Sequence, residues 1–311
     1  MSQISYTSID NSKPLLWLRY IGTDFWMVAL FPFYIGFVIS SETLYSPNLF
    51  YGIISICFLT SSTFVLNHIF DLEFDKQNQR KSFSLLVKNE ISVTNSFLLF
   101  IFLSLFCLMF SLVISYDFFF CILGLVLISL LYNIPPFRLK NRPILDILCH
   151  TLSLGILCPI AGWCLFDSSG VVNAFSNFPL LYLFSISLYV TALHSPTMAV
   201  DFSSDINSGA ITFATKYGAE RTMLLSWFLT TAGASILFIS GLLEIEPWSA
   251  HIFLLTGWLL PVEIIIHYFV LPVNEIPTYS TVVRGSIILA TVEALFTLFF
   301  LYLYVAEASL S

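Results

Sequence analysis

Seven long stretches of this chain contain no Asp, Glu, Lys or Arg: residues 25–41, 43–70, 91–116, 118–137, 147–166, 168–200 and 222–243. Two more apolar stretches, about 248–270 and 285–306, carry one glutamate each, Glu263 and Glu293. A helix needs about 20 apolar residues to cross a bilayer. Inside hydrocarbon every backbone N–H and C=O must be bonded within the protein, and a single segment of this length does that only as a helix. The pattern predicts an all-α, polytopic membrane protein with nine transmembrane helices. Charged residues make up only 10% of the chain, against roughly a quarter in a water-soluble domain. Residues 1–16 lack the basic start and apolar core of a cleavable signal peptide, so none is expected.

The charges that remain are sorted. Threading nine helices from an N-terminus inside puts all twelve Lys and Arg on one side: Lys13, Arg19, Lys76, Arg80, Lys81, Lys88, Arg138, Lys140, Arg142, Lys216, Arg221 and Arg284. The opposite side carries acids only: Glu42, Asp117, Asp167, Glu244, Glu246 and Glu307. The positive-inside rule makes the basic side cytoplasmic and leaves the C-terminus on the other side. The six cysteines all lie in apolar segments without a C-x-x-C pair, so they read as small buried hydrophobes. No nucleic-acid motif is present.

Chemistry concentrates on the basic side. Asn67, Asp71 and Asp75 recur every four residues at the end of the second span, and Asp201 and Asp205 repeat that spacing at the end of the sixth. On a helix such residues share one face, a turn apart. Carboxylates at a helix C-terminus oppose its dipole, so a bound cation explains them better. Oxygen-only donors suit a hard cation such as Mg²⁺. The two acid pairs lie 130 residues apart, four spans on. This spacing suggests two four-helix pseudo-repeats (about 21–143 and 144–272) plus one helix (about 284–306) around a central cavity, all in a single domain over 1–311. A third element, Tyr132-Asn-Ile-Pro-Pro-Phe-Arg138-Leu-Lys140-Asn-Arg142-Pro143, ends the fourth span with two prolines and follows them with three cations. It reads either as a loop that neutralises a diphosphate or as an anchor on lipid head groups.

These residues resemble the UbiA superfamily of intramembrane prenyltransferases. N-x-x-x-D-x-x-x-D follows the second helix and D-x-x-x-D the sixth, and Gly209 and Tyr217-Gly218 stand at the family's spacing. The Tyr132–Lys140 loop resembles that of the branch containing chlorophyll synthases, archaeal lipid-ether synthases and lycopene elongases. Arg142 to Asp146 (Arg-Pro-x-x-Asp) is closest to the carotenoid and archaeal-lipid members. The chain departs from the family at His68, often aspartate in relatives, and at Ser203, Ser204 and Asn207, where relatives carry further acids. It also departs at His150, where relatives often have a small or amide residue.

The resemblance implies Mg²⁺-dependent transfer of a prenyl group from an allylic polyprenyl diphosphate to an acceptor. Asn67, Asp71, Asp75, Asp201 and Asp205 would hold metal. Arg138, Lys140, Arg80, Arg19 and Tyr132 would meet the diphosphate. Every Lys and Arg lies on the basic side and the spans are poor in polar residues, which favours a lipophilic acceptor over a charged aromatic acid. Glu263, Glu293 and His150 are candidates for the acceptor chamber, since carboxylates within spans are costly and often functional. His194 and His267 read as structural. The alternatives are a cyclase of the same superfamily acting on the donor alone, and a transporter. Acids gathered at one membrane face, not at mid-depth, disfavour the transporter.

Overall fold

Short polar stops cut the apolar chain into helices. The computed structural model describes residues 13–78, 81, 84–243 and nine positions between 288 and 306. A short α1 (Lys13–Tyr20) and a 3-10 turn at Thr23–Phe25 lead into α2 (Trp26–Ser41). Then come α3 (Pro47–Asp75), α4 (Val93–Ile114) and α5 (Tyr116–Asn133). α6 (Pro143–His150), a π-helical segment Thr151–Leu157 and α7 (Cys158–Cys164) form one continuous span. A short α8 (Val171–Asn177) precedes α9 (Leu180–Ser208), followed by α10 (Phe213–Tyr217) and α11 (Ala219–Leu242). Proline at the first turn starts α3 and α6, where its missing N–H costs nothing. Ser92 and Ser115 cap α4 and α5 by accepting from Asn95 and Phe118 backbone N–H at 3.1 Å each.

Seven helices among the described residues are long and apolar enough to span a bilayer, and these residues contain no strand. The seven match the seven uncharged stretches, with one shift. The sixth span does not begin at residue 168: Pro179 separates α8 from α9, and α9 runs on to Ser208. Asp201 and Asp205 therefore lie on its last turns. The predicted eighth span, 248–270, lies outside the described residues. Ile288, Thr291, Leu295, Leu298, Phe299, Tyr302, Leu303, Val305 and Ala306, within the predicted ninth, are helical.

The bundle is built inside out. Large apolar side chains such as Met27, Leu98, Val113, Phe120, Phe184 and Phe228 are exposed, while Ser55, Ser61, Ser96, Ser111, Ser185, Ser187, Ser195 and Ser226 are buried. Serine hydroxyls return to carbonyls across helices, as Ser55 to Cys107 at 2.8 Å and Ser185 to Gly233 at 2.9 Å. Lipid is as apolar as leucine, so close contact and internal hydrogen bonds drive helix association, not the hydrophobic effect. α2 and α7 show the closest approach: a Cβ at Gly36 would collide with the Pro159 carbonyl, and one at Gly162 with the Phe33 carbonyl. All six cysteines are free; four of them, Cys107, Cys121, Cys158 and Cys164, are in the core, the last two on α7.

Two helices overrun the membrane. α3 and α9 each have 29 residues, about 43 Å at 1.5 Å per residue, against a hydrocarbon core of about 30 Å. About 20 residues of each suffice to cross. Asn67–Asp75 and Asp201–Ser208 form the surplus. With about the first 20 residues of each helix in the bilayer, the acid pairs fall at the boundary.

Candidate active site

The site is assembled where α3 ends and the loop after α5 folds back over it. The Arg138 guanidinium and the Lys140 ammonium both reach Asp71 Oδ1, at 2.9 and 2.7 Å. Lys140 also donates to Asn67 Oδ1 at 2.8 Å and to Asn133 Oδ1 at 3.2 Å. Arg138 donates to the Phe70 carbonyl at 3.2 Å and stacks over the Phe74 ring at 4.9 Å. The four-residue register explains the arrangement. Asn67 and Asp71 present oxygens on one face of α3, and the loop lays its cations along that face. Arg138 takes a left-handed backbone (φ 34°) to do so, a strain of roughly 1–3 kcal/mol for a non-glycine residue that the Asp71 ion pair helps to hold.

Lys140 is buried beside these oxygens. Burial pushes its ammonium below the ordinary pKa, and Asp71 pulls the other way. Arg138 Nε is also buried, and no hydrogen-bond acceptor meets it. A buried guanidinium donor without an acceptor is costly and suits an anion with several oxygens.

The other predicted residues fall as follows. Asp75 is buried and meets His68 Nδ1 at 3.4 Å; the His68 ring stacks on Tyr20 at 5.0 Å. His68, the departure from the family pattern, is thus partner to the last acid of the first motif. Asp201 and Asp205 are half-buried on α9. That helix closes on Gly209, whose left-handed backbone (φ 73°) sends its N–H to the Asp205 and Ile206 carbonyls. Arg19 lies half-buried on α1. Arg80, Glu263 and Glu293 lie outside the described residues.

Tyr132 is not among the cations. Its hydroxyl donates to Asp146 Oδ1 at 2.7 Å and lies 3.4 Å from His150 Nε2. His194 Nε2 approaches Asp146 Oδ2 at 3.5 Å, and the His150 and His194 rings stack at 3.6 Å. This cluster joins α5, α6 and α9. The sequence carried half of its signal, since Asp146 and His150 stand four residues apart. His194 arrives from another helix, which spacing cannot show.

Asn67, Asp71, Asp75, Asp201 and Asp205 offer amide and carboxylate oxygens, the donors a hard cation takes; Asn67 and Asp71 are engaged by Lys140, and Asp71 by Arg138 as well. Fold and site together define a class, an integral multi-pass membrane protein with an acid pair on each of two long helices and two loop cations folded onto the first. Residues 29–273 match the UbiA prenyltransferase family, and the chain belongs to that family. It is similar to the chloroplastic 2-acylphloroglucinol 4-prenyltransferase of Humulus lupulus, 27% identical over 241 residues. A second 2-acylphloroglucinol 4-prenyltransferase of that plant is 29% identical over 201 residues. These alignments cover 72% and 59% of this chain but only 57% and 47% of the relatives, so the chain spans about half their length. A UbiA homologue from Archaeoglobus fulgidus, solved with GPP and Mg²⁺, has the same fold: TM-score 0.74 at 20% identity, covering 92% of this chain and 99% of that one.

Proposed function

We propose that the chain transfers a prenyl group from an allylic polyprenyl diphosphate to a lipophilic acceptor inside the membrane, with Mg²⁺ as cofactor. The observation that carries this reading is the Arg138–Lys140 loop folded onto Asp71, with the Arg138 Nε buried and unmatched. Cations and carboxylates brought this close serve an anion that needs both. Asn67, Asp71, Asp75, Asp201 and Asp205 would hold Mg²⁺, which when bound neutralises charge developing on the leaving diphosphate. Arg138 and Lys140 donate to diphosphate oxygens, with Arg80 and Arg19 as further donors on the same side. The apolar bundle takes the prenyl tail and keeps bulk water from the allylic cation.

The names of the curated relatives favour an apolar, electron-rich phenolic acceptor, and the resemblance of the Tyr132–Asp146 stretch favours a large lipid. Both are lipophilic. His150, Glu263 and Glu293 remain candidates for the acceptor side. The matching lengths and acid pairs of α3 and α9 favour two pseudo-repeats and a ninth helix. The basic end, with the N-terminus, is read as cytoplasmic.

Mass spectrometry of lipids from cells with and without the chain tests the reading. It predicts a lipid gaining a prenyl mass. A cyclic hydrocarbon formed from donor alone, with no acceptor modified, would instead make the chain a cyclase.

A further inference from the structure

We propose that His194, held by Asp146, is the base that takes the proton the acceptor must lose; this rests on the prenyl-transfer reading. The Asp146–His150–His194–Tyr132 cluster lies apart from the Asp71 ion pairs and includes His150, a candidate for the acceptor side. Its placement gives it a task. His194 precedes Asp201 by seven residues on α9 and Asp205 by eleven. At 100° per residue all three fall on one stripe of the helix within about 40°, and His194 lies about 10 Å further into the bundle than Asp201. A diphosphate held by the aspartates directs its prenyl group inward, so the acceptor's attacking atom comes to lie at this depth. The cluster also adjoins the cation site through the chain itself: Tyr132 precedes Asn133, which holds Lys140, which holds Asp71.

The hydrogen bonds orient the ring for this role. Asp146 is buried, with one oxygen accepting from the Tyr132 hydroxyl at 2.7 Å and the other facing His194 Nε2 at 3.5 Å. A carboxylate at Nε2 assigns the proton of a neutral imidazole to that nitrogen and leaves Nδ1 with its lone pair. The separation is long, as hydrogen bonds of catalytic groups often are before substrate binds. His150 stacks on the ring at 3.6 Å and fixes its plane. His194 keeps 17% of its side chain accessible and Asp146 only 4%, so the imidazole is reachable where the carboxylate that orients it is not.

The step balances. The donor's C–O bond breaks, with its electron pair staying on the diphosphate oxygen. The acceptor's π electrons form the new bond to the allylic carbon. The acceptor's C–H (or O–H) bond then breaks, its electrons returning to the acceptor. The proton passes to His194 Nδ1, and the imidazolium is stabilised by Asp146 until water removes the proton.

The test uses membranes holding the full chain, Mg²⁺, labelled geranyl diphosphate, and a 2-acylphloroglucinol added to the native lipids as acceptors. Diphosphate release and prenylated product are read separately. In His194→Gln and His194→Ala, product falls about 100-fold while diphosphate release continues, the prenyl group being captured by water as its alcohol. Imidazole added to His194→Ala restores product. Asp201→Ala loses both signals. The inference is overturned if both His194 variants keep the wild-type ratio of product to diphosphate, or if the two signals fall in parallel without imidazole rescue. Stoichiometric zinc in the Mg²⁺-loaded wild type, lost in His194→Ala, would also overturn it, making the Asp146, His150 and His194 ligand atoms, all within 4.8 Å, a metal centre. Wild-type membranes that release no diphosphate, or couple it to no acceptor, overturn the prenyl-transfer reading and this inference with it.

Discussion

Lys140 touches Asp71, Asn67 and Asn133 with one ammonium group. Lys140→Ala leaves Asp71 to Arg138 alone and strands two amide oxygens. Lost hydrogen bonds of a charged group cost about 1.5–3 kcal/mol each, so thermal unfolding in detergent should show a clear drop. Donor KM should rise and turnover fall. A loop that merely anchors on lipid head groups predicts unchanged kinetics in both Lys140→Ala and Arg138→Ala. Asp71→Ala, Asp75→Ala, Asp201→Ala and Asp205→Ala should each insert normally and lose most activity, because a missing metal ligand removes several kcal/mol of charge stabilisation. Near-wild-type turnover in any two of them at saturating Mg²⁺ would refute the metal assignment. At this scale the sequence showed the acids and cations through their spacing. It did not show that the Tyr132 hydroxyl donates to Asp146, because that pairing depends on how α5 meets α6.

Helix α2 meets α7 through two glycines. Gly36→Leu or Gly162→Leu would force the helices apart by driving a side chain into backbone on the facing helix. Overpacking of this kind costs typically 1–3 kcal/mol or more, so the melting temperature should fall while Gly124→Ala, whose new Cβ would meet only Leu157 at 3.7 Å, changes little. Equal melting of all three variants would contradict the close α2–α7 contact. The helices themselves were visible as uncharged stretches, because hydrocarbon enforces one solution on each. Their irregularities were not. The π segment after His150 and the break before α9 bring no charged residue, so a reading of uncharged stretches passes over them, although Asn177 and Pro179 mark the second. The π segment is held by contacts with α9: the Thr151 and Thr191 hydroxyls at 2.7 Å, and Ser187 on the Gly155 carbonyl at 3.1 Å.

Across the whole molecule, charge sorting and the length of two helices place the chemistry. Every described Lys and Arg lies outside the candidate spans except Arg221, in the first turn of α11, and the nine-helix threading reads them all on the side of Asp71. In a cysteine-free background, Lys81→Cys should react with an impermeant maleimide only in inside-out vesicles, and Ser169→Cys only in right-side-out cells; the reverse pattern would invert the orientation. The acids at the ends of α3 and α9 make one claim central: the aspartates act on a prenyl diphosphate through Mg²⁺. Diphosphate released from labelled geranyl diphosphate, measured in purified membranes before and after metal stripping, tests it most directly. The account predicts release in the wild type, loss on EDTA treatment, recovery with added Mg²⁺, and none in Asp71→Ala or Asp201→Ala. Full release from stripped membranes, or from either variant, would contradict it.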